Sequence, residues 1–137
     1  MNQAERTVMK RTVYRVQDKE GRGPFRPGFS QYWLDDDLGE RVHLPCWSQE
    51  FGDDLIQKNY RKRHHYGSAV TNVDLITIWF SPSELLRLYH WGYSVVSMEA
   101  DRILAESTLQ VVIERKRPFH KGVSSIPLAN IIFRVSV

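Results

Sequence analysis

The chain has 137 residues, of which 42% are hydrophobic and 26% charged, with one cysteine and a formal net charge of +3. This length suits one domain, and the composition excludes a disordered segment and a disulfide scaffold, because the apolar content is ordinary and a lone cysteine cannot pair within the chain. No apolar run approaches the roughly 20 residues of a membrane-spanning helix, and the charged N-terminus lacks the apolar core of a secretory signal. We therefore expect a globular domain in the cytosol.

The first half of the chain predicts one strand followed by a long irregular segment. Residues 1–11 are interpreted as a flexible, charged lead-in, and β-branched and aromatic residues over 12–16 predict a strand that a turn at 18–21 ends. Glycine and proline interrupt residues 21–68 so often that long regular elements are excluded, apart from a short helix over 53–60. We expect the large rings of this segment to anchor it to the domain: Phe25, Phe29, Tyr32, Trp33, Trp47 and Phe51.

The second half predicts two short consecutive helices and three strands. Apolar residues over 75–80 follow a capping sequence at 71–74, and Ser81 and Glu84 form a capping box at the start of a second helix that Gly92 ends. Strands are predicted over 93–99, 109–114 and 131–137, with a loop over 116–129. This order favours one α+β domain over residues 12–137, with a small, largely antiparallel sheet.

Basic residues gather in two segments of the chain, over 58–65 and 115–121. If the two clusters meet in the fold, they could follow the phosphates of a nucleic acid. Charge runs are also typical of solvated loops, so both interpretations stay open. Nucleic-acid binding is accordingly one alternative function.

A zinc site is disfavoured because its ligand set is incomplete. His43, Cys46, His64 and His65 could in principle supply ligands. The one cysteine, however, has no second cysteine at the short spacing of structural zinc sites. We expect the histidines to lie at the surface beside arginines.

A magnesium-dependent nuclease site is disfavoured as well. Asp101, Glu114 and Lys116 match a loose pattern of carboxylates followed by a lysine, and alternation along a strand would put Glu114 and Lys116 on one face. No second carboxylate is placed near Asp101. We therefore expect no metal.

Nucleophilic and phosphate-loop chemistry also lack support. Cys46 lies between Pro45 and Trp47 with no neighbour to fix its ionisation, so we expect a buried, inert thiol. Gly21 and Gly23 lack the lysine and the following helix of a phosphate-binding loop, and we interpret them as a turn.

Several short motifs resemble those of small proteins encoded by bacteriophages and prophages. They are a strand of the form VYRVxD followed by the GRGP turn over residues 13–24, then Trp79-Phe80, Gly92-Tyr93 and Gln110-Val111-Val112. The resemblance spans roughly residues 12–115. It implies an accessory protein that acts in the host cytoplasm and binds and modulates a host component, with little or no catalysis and no cofactor.

A fainter similarity is to ADP-ribosyltransferase folds, which implies an NAD-dependent enzyme as a further alternative. In that family, an arginine on the first strand holds NAD, and here Arg15 would take this role. Ser68 would match the serine of a later strand. The third position, a glutamate in the family, falls on Gln110, whose neutral amide cannot stabilise a developing positive charge; Glu114 is the nearby carboxylate considered in its place.

Binding to a host protein is the partner expected under the phage resemblance. Rings and arginines dominate the energetic centres of interfaces, and loop anchoring is the competing role for the rings. The residues chosen as partner contacts are Arg22, Arg26, Trp33, Trp47, Arg61, Lys62 and Arg63. An exposed apolar edge in the last predicted strand would also allow a homodimer.

Overall fold

Two three-stranded antiparallel sheets organise the protein in a computed structural model, which describes residues 10–35 and 44–131. The sheets have the strand orders β1-β3-β6 and β2-β5-β4. Their bounds are β1 (Arg11–Gln17), β2 (His65–Ala69), β3 (Ser94–Ala100), β4 (Arg102–Glu106), β5 (Val111–Arg115) and β6 (Ser124–Ile126). The predicted α+β class and antiparallel pairing are confirmed, although the strands form two sheets where one was expected.

The helices of the described residues are short. They are α1 (Trp47–Phe51), α2 (Leu55–Asn59), α3 (Ile76–Trp79) and α4 (Pro82–His90), with 3-10 turns at Ser30–Tyr32 and Val73–Leu75. The two predicted consecutive helices are confirmed as α3 and α4. None of the helices in this described part of the chain is long and apolar enough to cross a membrane.

The capping box predicted for α4 is present. Ser81 Oγ accepts a hydrogen bond from the backbone N–H of Glu84 (3.2 Å), and Glu84 Oε1 accepts one from the backbone N–H of Ser81 (2.9 Å). Glu84 is fully buried, and its second oxygen accepts from the backbone N–H of Asp35 (2.9 Å), which fixes the chain at that residue. Gly92 follows the helix with φ 89°, a conformation that favours glycine.

Side chains alternate along the strands and divide the core into two apolar layers. Val13 of β1 packs between the two sheets, with Val96, Met98, Val111 and Ile113. Val16, on the other face of β1, packs against the helices, with Ile76, Phe80, Leu85 and Leu88. Because alternate residues of a strand share a face, Arg15 and Gln17 lie on the face of Val13. Polar side chains therefore enter the space between the two sheets.

One backbone bridge links β1 to the residue after β2 in the described structure. Tyr14 and Val70 exchange two hydrogen bonds, of 2.8 and 2.9 Å. Apart from this bridge, β1 and β2 belong to different sheets, and the gap between them has to be filled by side chains. This gap is where the cavity described below lies.

Three strands lie where the sequence predicted loops. β2 begins inside the segment 21–68 and ends one residue beyond it, β4 lies inside the link between the second and third predicted strands, and β6 lies inside the loop 116–129. β2 contains Gly67 and no regular alternation of apolar residues, so it has little intrinsic strand signal. It is a strand because it pairs with β5 along its whole length, from His65 opposite Arg115 to Ala69 opposite Val111.

The ends of the described chain differ from the prediction. Of the lead-in over 1–11, only Lys10 and Arg11 are described, and Arg11 already belongs to β1. At the other end, Ile131 is not the start of a strand but lies in a helical turn over 128–131, where it is buried. The rest of the predicted strand, and with it the predicted dimer edge, lies outside the described residues.

Two of the six rings expected to anchor the long segment are buried, Phe29 and Trp33, whereas Phe25 and Tyr32 are at least half exposed. Trp33 is 1% exposed, and its indole Nε1 donates a hydrogen bond to the carbonyl of Pro24 (3.1 Å). The ring of Phe29 is stacked on that of Tyr93 with 5.3 Å between their centroids. Residues 24–33 therefore lie against the helical layer.

The substitution Ser81→Ala tests the capping box. We expect the free energy of unfolding to fall by about 1–2 kcal/mol, because the N–H of Glu84 loses its acceptor and Asp35 loses the hydrogen bond that Ser81 Oγ donates to it (2.7 Å). Urea unfolding followed by circular dichroism measures this change. The exposed Thr108→Ala is the control, and an equal effect of the two substitutions would contradict the role of the cap.

Candidate functional site

A cavity of about 580 Å³ lies where the two sheets part. Its wall is formed by β1, the loop 23–26, the start of α1, β2, α3 and the residue before β5. The volume is typical of sites for small organic ligands, which are about 300–1,000 Å³. The most polar part of this wall is built around one arginine.

Arg15 crosses the gap between the two sheets. Its Nη1 donates to the carbonyl of Ser68 on β2 (2.7 Å), where a continuous sheet would have a backbone bond. Its Nη2 donates to the carbonyl of Gly21 (3.2 Å), and its Nε donates to Gln17 Oε1 (3.0 Å). The guanidinium is thus fixed in position by three neutral acceptors and keeps further N–H donors beyond these bonds.

The charge of Arg15 has no carboxylate partner in the described part of the chain. Asp18 is the acidic residue whose charge acts on Arg15, but its own carboxylate is paired with Arg22 (2.9 Å). Burial lowers the pKa of Arg15 to about 10, with the charge of Asp18 acting in the opposite direction. The guanidinium still carries its proton at neutral pH, so the cavity contains an uncompensated positive charge.

Two glycines and a phenylalanine allow the guanidinium to sit in this position. The carbon at its centre lies 4.6 Å from the ring centroid of Phe119, a cation–π contact. A Cβ on Gly67 would lie 3.0 Å from that ring and 3.1 Å from Arg15 Nη1, and one on Gly23 would lie 3.4 Å from Arg15 Nη2. A side chain at Gly67 would therefore displace the arginine or the ring.

Aromatic rings form the apolar part of the wall. Phe25 is 56% exposed, and its ring lies 5.6 Å from that of Phe80 and 6.4 Å from that of Trp79, measured between centroids. Trp79 is held in place because its Nε1 donates to the carbonyl of Leu109 (2.9 Å). Trp47 of α1 also lines the cavity. The cavity therefore combines a fixed cation with flat apolar surfaces.

Gln110 connects the cavity to the segment that contains α1. It is 5% exposed, and its Nε2 donates to the carbonyl of Pro45 and to Glu50 Oε1, both at 2.9 Å. Glu50 belongs to α1, so this hydrogen bond places a carboxylate directly beside Gln110. The sequence had suggested no role for Glu50.

Cys46 differs from its prediction, because the thiol is exposed and lines the cavity. Its Sγ lies 3.2 Å from Ser48 Oγ. Hydrogen bonds from the Ser48 hydroxyl and from the backbone N–H of Gln49 lower the pKa of the thiol below 9.0. The prediction that the Cys46 thiol is buried is therefore wrong, because Cys46 lies at the protein surface, directly before the first turn of α1.

The structure brings together three of the four residues predicted from the transferase similarity. Arg15, Ser68 and Gln110 all line the cavity. Glu114 does not line the cavity, because it lies four residues further along the chain, near the other end of β5. It has a separate set of contacts.

Glu114 is a buried carboxylate surrounded by cations and a phenol. It is 1% exposed; its Oε2 accepts from the hydroxyl of Tyr66 (2.5 Å) and from Arg102 Nη2 (2.9 Å), and Arg61 lies 3.8 Å from its Oε1. Burial raises the pKa of Glu114, but the Tyr66 hydrogen bond and the Arg102 charge outweigh it, and the resulting pKa lies below 4.5. His64 Nδ1 is 3.4 Å from the same carboxylate.

A family model described as the bacteriophage T4 Y00F protein matches residues 8–126 of the chain. The chain belongs to this family of phage proteins. No curated protein and no solved structure matches it. The resemblance to small phage proteins is therefore confirmed at the level of the family, and membership indicates a phage accessory protein.

The residues predicted as partner contacts do not form one surface. Trp33 is buried in the core, so its ring is not available to a partner. Arg26 and Trp47 line the cavity, whereas Arg22 is exposed and paired with Asp18. The basic triplet Arg61, Lys62 and Arg63 lies before β2, at the end of the strand where the Glu114 contacts are. A host protein as partner stays a prediction.

The metal patterns considered from the sequence are not assembled in the described residues. There, no group of three or more histidine, cysteine, aspartate and glutamate side chains could hold an ion. Asp101 Oδ2 instead accepts from the backbone N–H of Lys116 (2.8 Å), and Lys116 lies beyond the end of β5. His43 lies outside the described residues.

Several residues that line the cavity or contact Arg15 have no predicted role. Gln17 is 1% exposed and holds Phe119 through a hydrogen bond from its Nε2 to the carbonyl of that residue (2.7 Å). One signal was present in the sequence: Arg15 and Gln17 are polar residues at a spacing of two along β1, which puts both on one face. Phe119 and Gly67 gave no such signal, because their contacts depend on how the sheets meet.

The lowered pKa of Glu114 predicts a loss of stability in acid. The carboxylate is ionised more easily in the folded protein than in the unfolded chain. Its contribution to the free energy of unfolding is therefore complete above pH 4.5, and it disappears as the pH falls through the lower pKa that Glu114 has in the folded protein. Urea unfolding between about pH 7 and pH 3 should show that the free energy of unfolding falls more steeply for the natural chain than for Glu114→Gln.

At neutral pH, Glu114→Gln should reduce the free energy of unfolding by about 3 kcal/mol, because Arg102 keeps a partly buried charge without its partner. Glu106→Gln is the matched control. That carboxylate pairs with Arg11 at the surface, where such pairs contribute about 1 kcal/mol or less. Equal pH profiles for the natural chain and Glu114→Gln would contradict the assignment.

Proposed function

We propose that this phage accessory protein acts in the host cytoplasm by binding a host component in the cavity around Arg15. The ligand is an anion that carries an aromatic ring, and nucleotides are the class of host molecule with this chemistry. The observation that supports the proposal is the fixed guanidinium of Arg15, which lines the cavity without a carboxylate partner in the described structure.

A phosphate would supply the charge that Arg15 lacks. Arginine binds phosphate through paired N–H donors, and such charge-assisted hydrogen bonds are stronger than neutral ones. Because the three carbonyl and amide acceptors already hold the guanidinium in place, binding costs little side-chain entropy. A base would then lie against the apolar wall that contains Phe25 and Trp79.

Isothermal titration calorimetry with AMP, ADP and NAD tests the proposal, with adenosine as the uncharged control. We expect adenosine to bind at least about tenfold more weakly than AMP, because it has no group for Arg15. Arg15→Lys should weaken AMP binding about tenfold, since lysine keeps the charge but loses the fork of donors. Phe25→Ala, at an exposed position, should weaken binding of both ligands.

Tyr89→Ala is the control for a ring outside the cavity, since Tyr89 is 64% exposed and does not line it. Thermal denaturation of each variant establishes that it is folded. Absence of binding at millimolar concentration, or equal affinities for AMP and adenosine, would refute the proposal.

The second candidate is NAD-dependent ADP-ribosyl transfer, which the contact between Gln110 and Glu50 favours. In this reaction the bond between the nicotinamide nitrogen and the ribose carbon breaks, and nicotinamide leaves with the electron pair. An acceptor nucleophile bonds to that carbon and loses its proton. The carboxylate of Glu50, 2.9 Å from the amide of Gln110, would stabilise the positive charge on the ribose.

Release of nicotinamide from NAD, followed by chromatography in the presence of host lysate as acceptor, tests this candidate. Glu50→Gln should reduce the rate at least about hundredfold while NAD binding is retained. Glu99→Gln, at an exposed position of β3, is the control. NAD binding without nicotinamide release would exclude transfer and leave the nucleotide-binding proposal intact.

A further inference from the structure

The fold brings the two basic segments of the sequence to one end of the second sheet. β2 and β5 are antiparallel, and His65, the first residue of β2, lies opposite Arg115, the last residue of β5. The chain therefore enters β2 from residues 58–64 and leaves β5 into residues 116–121 at the same end. Here we call this surface the cationic end, formed by Arg61, Lys62, Arg63, Lys116 and Arg117.

Most of the charge at the cationic end is unpaired. Four of its five cationic side chains are exposed and have no ion pair within the described residues: Lys62, Arg63, Lys116 and Arg117. Glu114 is the main carboxylate facing this end, but it is buried and already surrounded by Arg102, Tyr66 and Arg61. Asp101 is paired with Lys10 (3.8 Å) and with the backbone of Lys116.

Arg115, the remaining member of the second basic segment, has a structural role. It is 3% exposed, and its guanidinium donates to the carbonyls of Glu99 (3.1 Å), Pro118 (2.9 Å) and Lys121 (2.9 Å). These bonds fix the path of the chain after β5. Burial, followed by the neighbouring charge of Arg117, lowers the pKa of Arg115, while the charges of Asp101 and Glu99 act in the opposite direction.

The loop that carries the first basic segment is held in a defined conformation. The hydroxyl of Tyr66 accepts from the backbone N–H of Arg61 (2.6 Å), and Arg102 Nη2 donates to the carbonyl of Asn59 (2.7 Å). The N–H of His64 closes a turn on the carbonyl of Arg61 (3.1 Å). Arg63 has φ 69°, a left-handed conformation that the turn requires.

An exposed aromatic ring lies within this basic loop. Tyr60 is 60% exposed, and its ring centroid is 5.7 Å from that of Tyr66. Tyr66 is in turn fixed by its hydrogen bond to Glu114. Tyr60 therefore presents a supported flat surface between Lys58 and the basic triplet.

We propose that the cationic end binds single-stranded nucleic acid, with phosphates on the unpaired cations and a base stacked on Tyr60. A positive surface with interspersed rings is the general solution to binding unpaired strands, because every base has a face that can stack. An acidic protein would satisfy the charges but has no base to cover Tyr60. A duplex keeps its bases stacked internally and leaves the ring uncovered.

Fluorescence anisotropy with a labelled oligothymidylate of about 15 nucleotides tests this inference. With four phosphate contacts, a rise in salt from about 50 to 200 mM should weaken binding about fiftyfold. A duplex of equal length should bind at least about tenfold more weakly than the single strand, because its bases are not free to stack. Polyglutamate of equal charge should not compete at equal concentration of charges.

Three variants separate stacking from charge. Tyr60→Ala should weaken binding about tenfold, whereas Tyr60→Phe should keep it within about twofold, because the ring is retained. The double variant Lys62→Ala with Arg63→Gly should lower the salt dependence, so that the same rise in salt weakens binding only about sevenfold. Glycine at position 63 keeps the left-handed turn and removes only the charged side chain.

Arg11→Ala is the matched control, because the charge of Arg11 is already paired with Glu106 at 2.8 Å. The affinity of this variant for the oligonucleotide should stay within about twofold of that of the natural chain. No binding at low salt, equal affinities for Tyr60→Ala and the natural chain, or equal competition by polyglutamate would each overturn the proposal.

Discussion

The guanidinium of Arg15 is the interaction on which the centre of this protein depends. The backbone joins β1 to the end of β2 through one bridge at Tyr14 and Val70 in the described structure, and Arg15 continues that connection by donating to the carbonyl of Ser68. An arginine suits this position because it offers several donors in fixed directions. It leaves a positive charge beside a cavity, so the same side chain closes the gap and gives the cavity its chemical character.

In the second sheet the buried charge is negative, whereas that of Arg15 is positive. There the charge that needs compensation is the carboxylate of Glu114, and the residues that supply it come from β2, β4 and the loop before β2. Because Tyr66 contacts both this carboxylate and the backbone of Arg61, the shape of the basic loop depends on a buried group that does not reach the surface. The cavity and the cationic end thus depend on different buried charged groups, Arg15 and Glu114, which allows their functions to be separated by substitution.

Much of the fold could be predicted from local patterns, and much of the candidate site could not. The first strand, the capping box of α4 and the two consecutive helices have signals within a few residues of themselves, and all are confirmed. β2 has no such signal and forms because β5 offers a partner. Arg15, Ser68 and Gln110 were suggested by a family resemblance, whereas Glu50 and Phe119 contact these cavity residues from positions distant in sequence.

The sequence by itself determined the α+β class, the positions of the two consecutive helices α3 and α4 and the presence of two basic segments, because these follow from alternation, capping residues and composition. Only the tertiary structure decided that the two basic segments share one end of a sheet, since that depends on the antiparallel register of His65 with Arg115. It also decided that Trp33 lies in the core while Tyr60 lies at the surface. A ring has the same local pattern in both places, and its burial depends on which other elements pack against it.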